Sequence, residues 1–256
     1  MEGETSGKIW HIQEQSHCFK DKTQETGLKM LTLKDLHQNG WESGINQVVM
    51  ADCLEAMKLI PDKSIDLILT DPPYGISYNA QKSGLHKNAK VFKDIKNDTG
   101  NLDLSFLFHR KELLIMFGAN NFCTKLPHAG NWLCWDKRVT EGADLIRGSA
   151  FELAWVSSST GKYKIYRIQH GGAINADAIK PGQHLQRSHP TQKPVELIRQ
   201  ILLDYTKPGD LVCDPFMGSW TTARACKDLG RNFIGFELEE DYCKVGEERL
   251  RQENLF

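Results

Sequence analysis

Ile65-Asp66-Leu67-Ile68-Leu69-Thr70-Asp71-Pro72-Pro73-Tyr74 is an apolar run that ends in a carboxylate, two prolines and an aromatic ring. The run predicts a buried strand, and the prolines after it fix φ and lack N–H donors. The strand therefore ends in a rigid platform rich in acceptors. The Asp71 carboxylate and the carbonyls beside it can accept hydrogen bonds from an amino group, while Tyr74 offers a face for stacking. An aromatic amine fits this platform, although an ordinary strand-to-loop turn has the same local sequence.

The same pattern occurs again near the other end of the chain. Leu211-Val212-Cys213-Asp214-Pro215-Phe216 is a second apolar strand that runs into Asp-Pro-aromatic, and residues 217–226 follow as a tight turn and a helix. The strand Asn232–Glu237 then ends in an acid. This order predicts a βαβ unit that binds a nucleoside, in which the turn approaches the ligand and Glu237 receives ribose hydroxyls. The sequence contains neither a G-x-G-x-x-G fingerprint nor a Walker A loop.

Strands and helices alternate through the rest of the chain. Further strands are predicted at 47–52, 112–118 and 131–135, and helices at 31–37, 53–60, 102–111, 119–125, 191–205 and 239–253. The alternation predicts an α/β fold with a Rossmann-like, doubly wound, mostly parallel sheet, and a right-handed connection from 112–118 to 131–135. Apolar runs at 151–156 and 162–167 have only residues 157–161 between them. So short a link predicts an antiparallel hairpin at one sheet edge.

Composition sets limits on the class of protein. The chain has 256 residues, of which 40% are hydrophobic and 25% charged, as expected for one large domain with a full core. The formal net charge of −1 means that a polyanion must be met by a local basic patch. Seven scattered cysteines without a C-x-x-C pair predict reduced core residues of a cytoplasmic protein, with no metal site. No apolar run is long enough to span a bilayer, so we expect no membrane role.

Three polar stretches accompany the predicted core. Residues 1–44 are expected to form a polar N-terminal arm, and residues 45–256 the main domain. Loop 75–98 carries several lysines, and a short insertion at 168–188 is rich in Gly and His. Both are candidates for contact with phosphates, and a solvated, mobile loop is the alternative for residues 75–98.

These motifs together resemble those of DNA amino-methyltransferases that use S-adenosylmethionine, in the permuted order of the beta group with the catalytic motif first. The resemblance covers about residues 48–249 and runs through Asp52-Cys53-Leu54-Glu55, Asp71-Pro72-Pro73-Tyr74, His189-Pro190-Thr191-Gln192-Lys193-Pro194, Asp214-Pro215-Phe216-Met217-Gly218-Ser219 and Glu237. Each motif alone is weak evidence, whereas their joint order is highly specific. The resemblance implies the class I methyltransferase fold, S-adenosylmethionine as the cofactor and DNA as the partner.

The resemblance also implies roles for individual residues. The catalytic set is Asp71, Pro72, Pro73 and Tyr74, and the cofactor set is Asp52, Cys53, Asp71, Thr191, Lys193, Asp214, Phe216, Met217, Gly218, Ser219, Thr221 and Glu237. Within that set, Asp52 and Cys53 are expected against the adenine of the cofactor, and Lys193 with Thr191 against its methionine carboxylate. The alternatives are that Asp52 only caps a helix, that Cys53 only fills the core, and that Lys193 is only helix surface.

The expected reaction is methylation of the N6 amino group of an adenine that has left the DNA stack. Tyr74 would stack on the base, while Asp71 and the Pro72 carbonyl would accept the amino hydrogens and direct the nitrogen lone pair at the methyl group. The Asp-Pro-Pro-Tyr form favours an adenine-specific enzyme, and cytosine N4 methylation is the alternative. An RNA or protein amine is a third substrate class. The sequence has no Pro-Cys motif for attack on a ring carbon.

Two features depart from the family pattern. The family turn continues Phe-x-Gly-x-Gly, and here Trp220 stands at the last glycine. An indole at this turn must point away, cover the adenine or obstruct the site, which leaves a catalytically weak DNA-binding relative as an alternative. The insertion at 168–188 is short for reading a DNA sequence, so the loop, the arm or a second subunit is expected to assist. A homodimer and a cognate restriction endonuclease are therefore candidate partners.

Overall fold

One eight-stranded sheet organises the part of the chain that the computed structural model describes, which comprises residues 30–74, 102–127, 130–138, 149–158, 163–169 and 192–251. The strands are β1 (Gln47–Met50), β2 (Leu67–Thr70), β3 (Leu113–Phe117), β4 (Asn131–Asp136), β5 (Phe151–Val156), β6 (Lys164–Arg167), β7 (Leu211–Asp214) and β8 (Asn232–Glu237). Their spatial order is β1-β8-β7-β2-β3-β5-β4-β6. β5 is antiparallel to both of its neighbours, and the other pairings are parallel. The prediction of a mostly parallel sheet is confirmed.

The strand order reverses between β2 and β7. From β2 the chain continues to β3 and the far edge of the sheet, and it returns to pair β7 with the other side of β2. All residues of β2 and β7 are buried, as expected for central strands of a parallel sheet that is covered on both faces. Ligands of such sheets bind outside the carboxyl ends of the strands at the reversal. Both Asp-Pro turns begin at this point.

Helices cover both faces of the sheet. The α-helices are α1 (Leu33–Asn39), α2 (Cys53–Ala56), α3 (Ser105–Phe108), α4 (Val195–Tyr205), α5 (Thr221–Leu229) and α6 (Glu240–Arg251), and 3-10 helices span Trp41–Gly44, Met57–Leu59 and Ala119–Lys125. One apolar cluster contains residues of α4, α5 and α6, and the other contains residues of α1, α2 and α3. Leu67 and Leu69 belong to the first cluster and Ile68 to the second. Successive residues of a strand point to opposite faces, so the sheet is doubly wound, as predicted.

Some helices are shorter than the sequence predicts. The helix expected at 53–60 is α2 followed by one 3-10 turn, and Ile60 is extended because Pro61 follows it. The helix expected at 102–111 is the single turn of α3, and the segment 119–125 is 3-10 rather than α-helical. The helices expected at 31–37, 191–205 and 239–253 correspond to α1, α4 and α6.

The antiparallel part of the sheet is confirmed, but its strands pair differently from the prediction. β5 pairs with β3 and β4, while β6 pairs in parallel with the outer side of β4. β4 therefore lies between β5 and β6, and the two do not form a hairpin among the described residues. The Asn131 side chain at the start of β4 donates a 2.7 Å hydrogen bond to the carbonyl of Ser158 in the link between β5 and β6. The sequence predicts β3 and β4 as parallel neighbours, but β5 lies between them.

Residues 30–44, which the prediction places in the N-terminal arm, pack against the sheet. Leu36 of α1 is buried, Thr32 forms a bridge with Met50, and a Cβ on Gly44 would lie 2.9 Å from Ile234. Residues 1–29, loop 75–98 and most of the insertion 168–188 lie outside the described residues. Within the described ranges, no helix is long and apolar enough to cross a membrane, and no group of His, Cys, Asp and Glu has the arrangement of a metal site.

Candidate active site

The two Asp-Pro turns open on one pocket at the carboxyl ends of β2 and β7. The two strands are parallel neighbours, and the Thr70 hydroxyl donates a 2.9 Å hydrogen bond to Asp214 Oδ1. The pocket has a cavity volume of about 60 Å³ and is partly open to solvent. The predicted site residues that line it are Asp71, Lys193, Asp214, Phe216, Met217, Gly218, Ser219 and Thr221. The expectation that both turns share one crevice is confirmed.

Asp214 holds the second turn together. Its Oδ1 accepts hydrogen bonds from the Thr70 hydroxyl and from the backbone N–H of Phe216 at 3.1 Å, and its Oδ2 accepts one from the Thr222 hydroxyl at 2.7 Å. Burial raises the pKa of Asp214 to about 6, against the effect of these hydrogen bonds. Both oxygens of Asp214 are therefore hydrogen-bonded to the protein itself. Asp214 stabilises the wall of the pocket by these bonds.

Glu237 ties the end of β8 to the same turn. Its Oε2 accepts a 2.8 Å hydrogen bond from the backbone N–H of Gly218, and its Oε1 accepts one of the same length from Glu239. Burial raises the pKa of Glu237 to about 7. Gly218 has a φ of 52°, in the left-handed region that favours glycine. The carboxylate expected to meet ribose hydroxyls therefore also fixes the backbone that approaches the ligand.

Trp220 points away from the pocket. It adopts left-handed φ and ψ at the N-terminus of α5, and its indole packs against Gly246 of α6, where an added Cβ would lie 2.1 Å from the ring. The side chain is buried, and its Nε1 has no acceptor among the residues that the structure describes. Of the three orientations that the sequence allows, the structure has the one that leaves the pocket open.

Asp71 is held by two donors on its two oxygens. The Tyr74 hydroxyl donates a 2.5 Å hydrogen bond to Oδ1, and the Lys193 ammonium bonds Oδ2. Lys193 Nζ also lies 3.2 Å from Glu152 Oε2 and 5.2 Å from the centre of the Phe117 ring. Burial acts to lower the pKa of Lys193, but Asp71 above all, with Tyr74 and Glu152, holds it well above its ordinary value. Lys193 thus contacts the Asp71 carboxylate, and its expected contact with a methionine carboxylate stays a prediction.

The ring of Tyr74 lies over Gly118, directly after β3. Gly118 has a φ of 65°, and a Cβ at this position would come within 1.9 Å of Tyr74 Cε1. Burial first, and then Asp71, raises the pKa of Tyr74 well above its ordinary value, so the phenol remains a donor. The glycine therefore allows the ring to lie close to the sheet beside the Asp71 carboxylate.

The residues expected around the adenine of the cofactor lie beside the pocket. Asp52 Oδ1 accepts a 2.8 Å hydrogen bond from Leu54 N as the N-cap of α2, and Cys53 is buried with its pKa raised to about 12, mainly by burial. Within the described residues, the pocket lining includes neither of them, nor Glu237, Pro72, Pro73 or Tyr74. Thr191 lies outside the described residues. The roles of these residues toward a cofactor stay predictions.

Comparison with known proteins identifies the family. A family model described as DNA methylase matches residues 131–248. The DNA adenine methyltransferase YhdJ of Escherichia coli (strain K12) is 30% identical over 240 residues, which cover 79% of this chain and 82% of that protein. The chain belongs to the DNA methylase family. The type II methyltransferase M.HinfI of Haemophilus influenzae is 27% identical to this DNA methylase in a match that covers 81% of this chain and 69% of that protein.

Solved structures share the fold of this DNA methylase. The crystal structure of the M1.HpyAVI-SAM complex matches it with a TM-score of 0.50 and 25% identity, over 80% of this chain and 99% of that one. The PvuII DNA methyltransferase (cytosine-N4-specific) matches with a TM-score of 0.55 and 20% identity, over 81% of this chain and 87% of that one. The predicted class I methyltransferase fold is confirmed.

The sequence-based prediction does not include several residues that form the site of this DNA methylase. Glu152 contacts Lys193, and Gly118 packs against the Tyr74 ring. Arg249 of α6 donates hydrogen bonds to the Ser219 carbonyl at 3.2 Å and to the Thr221 hydroxyl at 3.1 Å. An acid inside the apolar strand 151–156 was a usable signal for Glu152, because a buried charge needs a partner. The contacts of Gly118 and Arg249 cross between elements and leave no local signal.

Proposed function

We propose that the chain transfers a methyl group from S-adenosylmethionine to the N6 amino group of adenine in DNA. The observation that carries the proposal is the shared pocket, in which the Asp71 platform faces the turn that begins at Asp214. Membership of the DNA methylase family and the similarity to an adenine methyltransferase of Escherichia coli support the substrate and the methylated atom.

The pocket has the donors and acceptors that S-adenosylmethionine requires. The backbone at Gly218 permits close approach, and Phe216 offers an aromatic face. Glu237 lies outside the described lining but bonds Gly218, so its half-buried carboxylate is next to the wall where ribose hydroxyls would bind. Ser219 and Thr221 add hydroxyl groups at the start of α5. When bound, the cofactor supplies an electrophilic methyl group on a sulfonium. Because Trp220 packs against α6, the indole does not compete for this space.

The side chains around Asp71 orient the amino group. In the proposed complex, Asp71 and the Pro72 carbonyl accept the two amino hydrogens, and this weakens conjugation of the nitrogen with the ring so that its lone pair can point into the pocket. Tyr74 stacks on the base, which leaves the duplex at a cost of a few kcal/mol. Positioning of this kind supplies much of the rate acceleration in a direct displacement.

Incubation with labelled S-adenosylmethionine and DNA, followed by nucleoside analysis, tests the proposal. We expect N6-methyladenine as the product. The Asp71→Ala variant should lose transfer by about a hundredfold or more while it retains cofactor binding by calorimetry, because Asp71 acts on the amino group. Label found only in N4-methylcytosine would contradict the adenine assignment, and full activity of the Asp71→Ala variant would contradict the role of the carboxylate. RNA and protein substrates in the same assay test the third substrate class.

The proposal extends to two partners. Since the insertion 168–188 is short, a second copy of the chain would enlarge the surface that recognises DNA. Light scattering with and without DNA measures the oligomeric state. The relative M.HinfI is a type II methyltransferase, so a cognate restriction endonuclease with the same recognition sequence is the second partner. Protection of methylated DNA from that endonuclease tests it.

A further inference from the structure

Four side chains of alternating charge connect β4 with the catalytic carboxylate. The Lys137 ammonium bonds Glu152 Oε1, Glu152 Oε2 lies 3.2 Å from Lys193 Nζ, and Lys193 Nζ bonds Asp71 Oδ2. The side chains of Lys193 and Asp71 are 8% and 22% exposed, and those of Lys137 and Glu152 are 14% and 26% exposed. Charges that are shielded from water to this degree depend strongly on their partners.

Lys193 occupies the middle of this row. Its ammonium lies between the carboxylates of Asp71 and Glu152, with the Phe117 ring beside it. The main chain of Lys193 precedes α4, while Glu152 belongs to β5, which is two positions from β2 in the sheet order. Burial raises the pKa of Glu152, but Lys193 and Lys137 outweigh it and hold the pKa below its ordinary value, which keeps the charge that Lys193 contacts.

The two oxygens of Asp71 have different partners. Oδ2 accepts a hydrogen bond from the Lys193 ammonium, and this buried ammonium is also paired with Glu152. Among the described residues, the donor to Oδ1 is neutral, namely the Tyr74 hydroxyl. A hydroxyl is displaced from a carboxylate at lower cost than a buried ammonium, because a charge-assisted contact is the stronger one. The structure therefore distinguishes an anchored oxygen from an exchangeable one.

We propose that Glu152 is a positioning residue for methyl transfer, which holds Lys193 on Asp71 Oδ2 so that Oδ1 is the acceptor for the amino group of the base. The inference rests on the proposed function of the pocket. The Tyr74 hydroxyl occupies, in the free protein, the position that an amino hydrogen takes when the base enters. Glu152 does not line the pocket among the described residues, so it acts through Lys193 and not by contact with the cofactor.

The Glu152→Gln variant tests this role, because glutamine has nearly the same shape without the charge. We expect kcat to fall roughly tenfold to a hundredfold, since Asp71 loses its fixed orientation, with dissociation constants for cofactor and DNA within about twofold of wild type. Glu240→Gln is the matched control, because it makes the same change in an exposed ion pair with Lys244 and should keep the wild-type kcat. Glu152→Asp restores the charge and should recover part of the loss.

Two further readouts separate positioning from a general structural defect. Among the described residues, Asp71, Tyr74 and Glu152 are titratable groups that face Lys193, and loss of one carboxylate makes the ammonium easier to deprotonate. The kcat deficit of Glu152→Gln should therefore grow as the pH rises toward the pKa of Lys193. The rate of Lys193 acetylation by acetic anhydride, followed by peptide mass spectrometry, should rise about fivefold or more in this variant and stay unchanged in Glu240→Gln.

The acetylation readout does not depend on methyl transfer. A Glu152→Gln variant with wild-type kcat, or one in which Lys193 acetylation stays at the wild-type rate, would overturn the positioning role. If the wild-type protein transfers no methyl group to DNA, the proposed function fails, and acetylation still decides whether Glu152 holds Lys193. The failures of the two proposals are thus distinguishable.

Discussion

Gly118 is a single residue on which the position of the Tyr74 ring depends. It follows β3 with a φ of 65°, a conformation that costs a residue with a side chain about 1–2 kcal/mol. The ring of Tyr74 also fills the space where a Cβ would lie. The stacking face beside Asp71 therefore requires both the backbone freedom and the missing side chain of this glycine.

We expect Gly118→Ala to lower kcat roughly tenfold to a hundredfold, because the added methyl group displaces the ring from the base. Cofactor affinity, measured by calorimetry, should change little, since Gly118 is not part of the described pocket lining. Gly230→Ala is a matched control: its φ is 68°, but nothing lies within 4 Å of the added Cβ. It carries the same backbone strain without a clash and should keep wild-type kcat. Equal kcat values for the two variants would contradict the role of Gly118.

Helices α5 and α6 pack against each other through Trp220 and Gly246. Trp220 begins α5 in a left-handed conformation, and its indole lies against the α6 backbone at Gly246. Glycine inside a helix normally destabilises it by about 1 kcal/mol relative to alanine. Here the glycine makes room for the indole, so an unusual tryptophan in the turn after Asp214 is accommodated by a neighbouring helix.

We expect Gly246→Ala to destabilise the protein by about 1–3 kcal/mol, because the clash with the indole outweighs the gain in helix propensity. The Trp220→Gly change should remove the clash, so that alanine at 246 is tolerated in the double variant. Urea unfolding of the wild type, the two single variants and the double variant measures this coupling. A Gly246→Ala variant more stable than the wild type would rule out the packing role.

In the molecule as a whole, one buried and one half-buried carboxylate make stability depend on pH. Burial raises the pKa of Glu237 from 4.5 to about 7 and that of Asp214 from 3.8 to about 6. A raised pKa means that the folded state binds the proton more tightly than the unfolded state. The resulting stabilisation is complete below the unfolded pKa and is lost as the pH rises through the folded pKa.

We expect Glu237→Gln, which cannot ionise, to gain stability relative to wild type as the pH rises from about 5 to about 8. The free energy of unfolding in urea at the two pH values gives this difference. Glu240→Gln, at an exposed position of α6, should differ from wild type by the same free energy of unfolding at both pH values. A Glu237→Gln difference that stays constant or falls with pH would contradict the pKa assignment.

Local patterns in the sequence account for several features of the protein. The apolar runs before Asp71 and Asp214, their Asp-Pro-aromatic ends and the acid at Glu237 predict two strand ends and a nucleoside-binding unit, because period, proline and turn chemistry act over a few residues. The mostly parallel, doubly wound sheet follows from the alternation of such elements. The two strand ends and the sheet are present in the structure, and nucleoside binding stays a prediction.

The contacts between distant segments of the chain depend on its tertiary fold. It places β4 between β5 and β6, turns the Trp220 indole toward Gly246, and brings Glu152 to Lys193. Strand pairing depends on competition among all strands of the sheet, and a side chain takes the orientation in which its neighbours leave room. Residues far apart in the chain make these contacts, so no local pattern contains them, and the exact surroundings of the Asp71 carboxylate are a property of the folded chain.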